Sequence, residues 1–266
     1  MAQAKLRVVG NGSAKKAARK RYSPAEWQTR LELAAAYRLI RHFGLADLVY
    51  NHLTARIPGT DDEILINPYG LMYDEITASN LLKIDIDGNK LEDSPYGINP
   101  AGYVIHSAVH KARHDVQCVM HTHSHAATAV SALEMGYVPV SQTGFMFYNR
   151  VAYHDYEGVA VNLDERQRLV ASLGKKDVML LRNHGSLTCG GTIQMAFRRM
   201  YYFELGCRNQ LDALASGAKL RLPKSAVMEH TASQFEDGVA AIGTAETREW
   251  PALLRMLDRE EPGWRE

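Results

Sequence analysis

The chain has no apolar run approaching the ~20 residues that a bilayer-spanning helix needs, and only three cysteines, three tryptophans and nine prolines among 266 residues. The first absence excludes a transmembrane helix. The N-terminus also lacks the apolar core of a secretion signal, so a cytoplasmic protein is expected. Cys118, Cys189 and Cys207 are odd in number and scattered, which excludes a disulfide framework and leaves reduced, packed thiols. There is no internal repeat, low-complexity segment or nucleic-acid motif.

Acidic residues are missing from 1–21, where Lys5, Arg7, Lys15, Lys16, Arg19, Lys20 and Arg21 stand. The net charge of +1 therefore hides an asymmetry: 31 Lys and Arg less these seven leaves 24 against 30 acids in the remaining chain. Such a tail reads as disordered and solvated over 1–22, and no nucleic-acid partner is expected. What is present, 46% hydrophobic and 23% charged residues, describes a globular protein with one large domain and a sizeable core.

A capping box opens the first helix at Ser23-Pro24-Ala25-Glu26, apolar residues recur at helical spacing from Trp27 to Ile40, and Gly44 stops it. Short strands are expected over Leu48 to Ile57, Glu63 to Asn67 and Leu82 to Ile86, separated by turn-forming segments. A helix follows from Pro100 to Arg113, then a strand over Val116 to Met120 and a helix over Ala126 to Leu133. Further strands are expected at Tyr137 to Val140, Val151 to Tyr156 and Asp177 to Arg182, with a helix from Asn162 to Gly174. Thr192 opens a long helix ending near Gly217, whose Met and aromatic stripe is core or oligomer interface. Domain bounds are thus 23–222, with 223–266 a loosely attached tail holding a short helix around Pro251 to Leu257. The alternation of strands and helices predicts an α/β layered domain.

Chemistry concentrates in a split histidine set. His121 and His123 end an apolar strand, and because strand side chains alternate faces they point the same way. A second run delivers His184 within Asn183-His184-Gly185, a turn signal. Three imidazoles with an open position suit a catalytic divalent metal.

From about Trp27 to Gly217 the chain resembles the class II aldolase and adducin head-domain superfamily. The marks are Leu65-Ile66-Asn67-Pro68-Tyr69-Gly70, Thr77-Ala78-Ser79, His106-Ser107-Ala108, Val119-Met120-His121-Thr122-His123 and Leu181-Arg182-Asn183-His184-Gly185. Val151-Ala152-Tyr153-His154-Asp155-Tyr156 and Asn99-Pro100-Ala101-Gly102 resemble the adducin-like branch more closely. The resemblance implies a three-layer α/β/α sandwich around a mainly antiparallel central sheet, assembled as a homotetramer with active sites near subunit interfaces. It also implies that His121, His123 and His184 hold a divalent metal, zinc in the aldolases. Iron, manganese or cobalt suit the same donors.

The chain departs from the aldolase pattern where proton transfer occurs. The resemblance places the usual acid–base carboxylate at Gly102, and glycine offers no such group. Pro100 and Ala101 stand where aldolases hold phosphate with small hydroxyl residues, Tyr69-Gly70 replaces Thr-Gly, and His52 replaces an asparagine. A sugar phosphate held in the usual way is therefore not expected, and His52, Tyr69 and Gly70 become the substrate-binding candidates. Replacement proton carriers are sought among His52, His125, Tyr69, Tyr148, Tyr153, Asp155 and the C-terminal tail, and His106 is a packing or supporting residue. The expected activity is a metal-dependent carbon–carbon lyase, aldolase- or decarboxylase-like, acting on a small hydroxy- or keto-oxygenated molecule. The alternatives are a non-catalytic adducin-head-like oligomeric module with a residual metal site, and an Fe(II)-dependent oxygenase.

Overall fold

The computed structural model describes residues 21–159, 164–237 and 244–266. Of the tail expected over 1–22, residues 1–20 lie outside the described residues. Tyr22, which the sequence assigned to that tail, stacks on Trp27 and donates to Glu92 Oε2 at 3.1 Å.

Helix α1 (Pro24–His42) starts as the capping box predicts, with Ser23 Oγ accepting from the Glu26 N–H at 3.1 Å. It stops where Gly44 takes φ +69°, a conformation natural to glycine. Strands β1 (His52–Arg56), β2 (Glu63–Ile66) and β3 (Leu82–Asp85) follow. Next come α2 (Pro100–Ala112), β4 (Cys118–Thr122), α3 (His125–Ser131), β5 (Val151–His154), α4 (Glu165–Leu173), β6 (Val178–Leu181) and β7 (Gly185–Gly190). Helices α5 (Ile193–Ala215), α6 (Ser225–Asp237) and α7 (Trp250–Glu260) complete the order. Among the described helices, none is long and apolar enough to cross a membrane.

The seven strands form one sheet in the order β3-β2-β1-β4-β7-β6-β5. Every neighbouring pair is antiparallel except β5 and β6, which α4 connects as a crossover. Alternation then sorts the faces. Leu53, Ala55, Cys118 and Met120 pack with α1 and α5, while Val119, Leu187 and Cys189 pack with Ile105 and Val109 of α2 and Leu169 and Leu173 of α4. The sheet is thus covered on both sides, the α/β/α sandwich expected.

Three elements differ from the sequence reading. Tyr137–Val140 forms no strand: the Tyr137 N–H donates to Tyr153 Oη at 3.1 Å and the Val138 N–H to Gln210 Oε1 at 2.7 Å, so side chains satisfy a backbone that no ladder reaches. Conversely, Gly185–Gly190 is a central, fully buried strand. Its Ser186 and Thr188 face α5, donating to Met200 sulfur and the Ala196 carbonyl, which is why a polar, glycine-flanked segment can lie in the core. Finally, the loosely attached end is corrected. Trp250, Leu257 and Trp264 join the main core with α1, and the Trp264 carbonyl accepts from the Ala78 N–H at 3.3 Å. Few apolar residues suffice because they sit on one stripe of α7 and in two tryptophans.

Candidate metal centre

His121 lies on β4, paired across from His52 on β1 and Leu187 on β7, so its side chain joins the sheet face that α2 covers. His123 follows two residues on, just past the strand end, and points the same way. His184 arrives from the turn between β6 and β7. That turn requires Asn183 at φ +56°, which asparagine tolerates better than other side chains. Gly185 lies so close to the Thr122 carbonyl that a Cβ there would overlap it. The absence of a side chain at 185 lets β7 close against β4 and brings His184 to the pair.

The three Nε2 atoms converge. His123 Nε2 stands 3.1 Å from His121 Nε2 and 3.0 Å from His184 Nε2, and the three ring centroids are 4.8–4.9 Å apart. Outer contacts fix the tautomers. His121 Nδ1 is 3.0 Å from the Ser186 carbonyl and His123 Nδ1 is 2.9 Å from Asp47 Oδ2, both acceptors, so each ring donates through Nδ1. Two bare nitrogen lone pairs therefore face each other at 3.1 Å. A cation between them resolves that conflict. Nitrogens bound tetrahedrally to zinc at about 2.0–2.1 Å stand about 3.4 Å apart, so a small outward shift of the rings admits the ion.

Burial keeps the His121 and His184 rings neutral, the form that metal binding requires. It pushes His121 well below its ordinary value and, with the nearby His123, lowers His184 to about 4. Asp47 is itself held by a loop in which its N–H donates to Asn51 Oδ1 at 2.7 Å and Leu48 takes φ +46°. Behind His123, the buried Glu204 of α5 accepts from Ser124 Oγ and from the Ala126 and Ala127 N–H groups at 2.7–3.1 Å, pinning the turn that aims the ligand.

The site opens into a cleft of about 530 Å³, which His52 and Tyr69 line together with the three histidines. A Cβ built at Gly102, in the first turn of α2, would stand 2.7 Å from His52 Cγ and Nδ1. The imidazole occupies the space a side chain at 102 would enter. His52 is 2% exposed, burial lowers it to about 3, and its Nε2 has no hydrogen-bond partner. Beneath it, Thr54 Oγ1 bridges His106 Nδ1 at 2.7 Å and His110 Nε2 at 2.8 Å.

Other candidates separate from the site. Gly70 is an exposed turn glycine with φ +98° beside Tyr69, outside the cleft lining. His125 is exposed, Tyr148 and Tyr153 line a different surface pocket, and Asp155 lines a small neighbouring one. Sequence reasoning missed Asp47, Tyr50, Asn99 and Tyr156, which line the cleft from three separate loops. Among these, Asn99 and Tyr156 sat inside segments already singled out.

Residues 31–211 match the family model described as the class II aldolase and adducin N-terminal domain. The chain belongs to this family. A solved structure of an aldolase II superfamily protein from Pseudomonas syringae is 48% identical, with a TM-score of 0.87 over 93% of this chain and 99% of that one. The L-fuculose 1-phosphate aldolase of Glaciozyma antarctica is 25% identical, with a TM-score of 0.79 over 94% and 99% of the two chains. Alpha-adducin of Rattus norvegicus is 36% identical over 89% of this chain but only 34% of its own length. The family thus joins aldolases to adducins, and in this chain the three histidines that could hold a metal stand on that sandwich.

Proposed function

We propose that this member of the family is a metal-dependent carbon–carbon lyase, aldolase- or decarboxylase-like, acting on a small hydroxy- or keto-oxygenated molecule. One observation supports the reading: three imidazole nitrogens meet at a cleft, and two of them have tautomers that leave their lone pairs opposed at 3.1 Å, an opposition a bound cation relieves. A divalent ion held by His121, His123 and His184, with zinc our assignment, supplies Lewis acidity at substrate oxygens. Ser186 and Asp47 orient the ligand rings, Tyr69 bounds the cleft, and His52 contacts the substrate beside them. No side chain at 102 shuttles a proton, and the buried, neutral His52 is the nearest replacement.

The test is direct. Zinc content is measured by mass spectrometry, and the zinc-loaded protein is titrated by calorimetry with oxalate, glycolate and pyruvate. One equivalent of zinc and binding of at least one chelating oxyacid support the reading; a metal-loaded protein that binds none of them sinks it.

Gly102 favours a second reading, an adducin-head-like oligomeric module whose metal site is residual. A stable oligomer without metal would select it. We place the protein in the cytoplasm as a homotetramer, to be read by light scattering.

A further inference from the structure

We propose that the wall of the cleft beside the histidine triad recognises a neutral hydroxyl group through His52 Nε2, which makes the substrate an unphosphorylated hydroxycarbonyl compound. The inference rests on the metal-assisted reading above and adds the substrate class to it.

The tautomer of His52 carries the argument. Its Nδ1 lies 3.3 Å from the Tyr50 carbonyl, which only accepts, so Nδ1 holds the ring proton and Nε2 presents a lone pair. His52 lines the cleft, and that lone pair is buried and unpartnered. A buried acceptor left unmet is unfavourable, and a ligand that brings a donor relieves it. A hydroxyl brings one. The oxygens of a phosphate dianion or a carboxylate bring only further lone pairs and are repelled. His106, whose ring centroid is 4.5 Å from that of His52, adds a second buried, unpartnered Nε2 behind it.

The surroundings offer an anion little. None of the described residues lining the cleft is lysine or arginine, and Asp47 contributes a carboxylate at its edge. Two nearby backbone donors are engaged. The Tyr69 N–H donates to the Gly97 carbonyl at 3.0 Å, Pro100 has no N–H, and the Tyr103 N–H donates to the Asn99 carbonyl at 3.0 Å. Away from the metal position itself, a wall that offers acceptors and no cationic side chain selects for hydroxyl hydrogens, because a site built to meet a donor discriminates strongly against ligands that lack one.

The probes are dihydroxyacetone, dihydroxyacetone phosphate and inorganic phosphate, titrated into zinc-loaded protein by calorimetry while nitrogen-15 NMR follows His52 Nε2. Dihydroxyacetone is expected to bind at least about tenfold more tightly than its phosphate, to move the Nε2 resonance, and to resist displacement by inorganic phosphate. His52→Phe keeps a flat ring over Gly102 without an acceptor and should weaken dihydroxyacetone about tenfold with zinc retained. His52→Asn restores an acceptor and part of the affinity. Tighter binding of the phosphate, no binding of dihydroxyacetone, or wild-type affinity in a folded His52→Phe protein would overturn the proposal. If His52→Phe does not fold, the resonance shift in the wild-type protein decides. Failure to bind zinc would instead sink the metal reading; the same NMR titration of zinc-free protein still reads His52, and an unmoved resonance there counts against the hydroxyl contact.

Discussion

The ring of His52 and the bare Cα of Gly102 fill one space between them: a Cβ at 102 would stand 2.7 Å from the ring and 2.8 Å from its Cδ2. Imidazole at 52 and a side chain at 102 are mutually exclusive. The identities of residues 52 and 102 are therefore coupled by packing.

Gly102→Ala should accordingly lower stability by about 1–3 kcal/mol through overpacking, although alanine ordinarily favours a helix. In a His52→Asn background the same substitution should be close to neutral. Urea unfolding of the four proteins reads the cycle, and additive effects would show that the two residues do not compete.

Asp47 orients His123 from outside the triad, at 2.9 Å. Asp47→Ala should weaken zinc about 10–100-fold, the effect typical of losing a ligand's hydrogen-bonded carboxylate. His123→Ala should abolish stoichiometric binding. Competition with a chromophoric chelator measures both, and undiminished zinc in His123→Ala would remove that residue from the ligand set.

Glu204→Ala leaves Ser124 Oγ and two backbone N–H groups of α3 without their acceptor. Stability should fall by about 2–4 kcal/mol, and zinc affinity should fall with it because the disturbed turn carries His123. Glu204→Gln should recover part of both. A change in stability alone would confine Glu204 to the core.

His110 is fully buried, and burial followed by the charge of Arg56 pushes it down from 6.5 to about 3. His106 is lowered well below 6.5, by burial and then by His52 and His110. The unfolded chain therefore binds protons that the native state refuses. The stability these neutral rings contribute is complete above pH 6.5 and erodes as pH falls from 6.5 toward 3, by about 1.4 kcal/mol per unit per histidine. Urea midpoints at pH 7.5 and 5 should show that loss, and His110→Gln should flatten it.

The sequence announced the site more clearly than its setting. The spacing of His121 and His123 on a strand fixed their common direction, and Asn183 with Gly185 signalled the turn that carries His184. Asp47 and Glu204 were invisible because their partners lie 76 and 80 residues away along the chain. No local pattern marks a residue whose purpose is a distant hydrogen bond. Strand β7 escaped for a related reason: its Ser186 and Thr188 are polar, and only their partners on α5 make their burial tolerable.

By itself, the sequence determined the helices with strong caps and periodicity, the apolar strands, the family and the three histidines of the candidate site, because each rests on residues close in the chain or on a shared motif. Tertiary structure alone decided which tautomers the ligand rings hold, that Trp264 seals the core from the far end, and that His52 stands in the space above Gly102. Those facts depend on contacts between strands and helices brought together by the sheet order, and close packing admits only one side chain into each space.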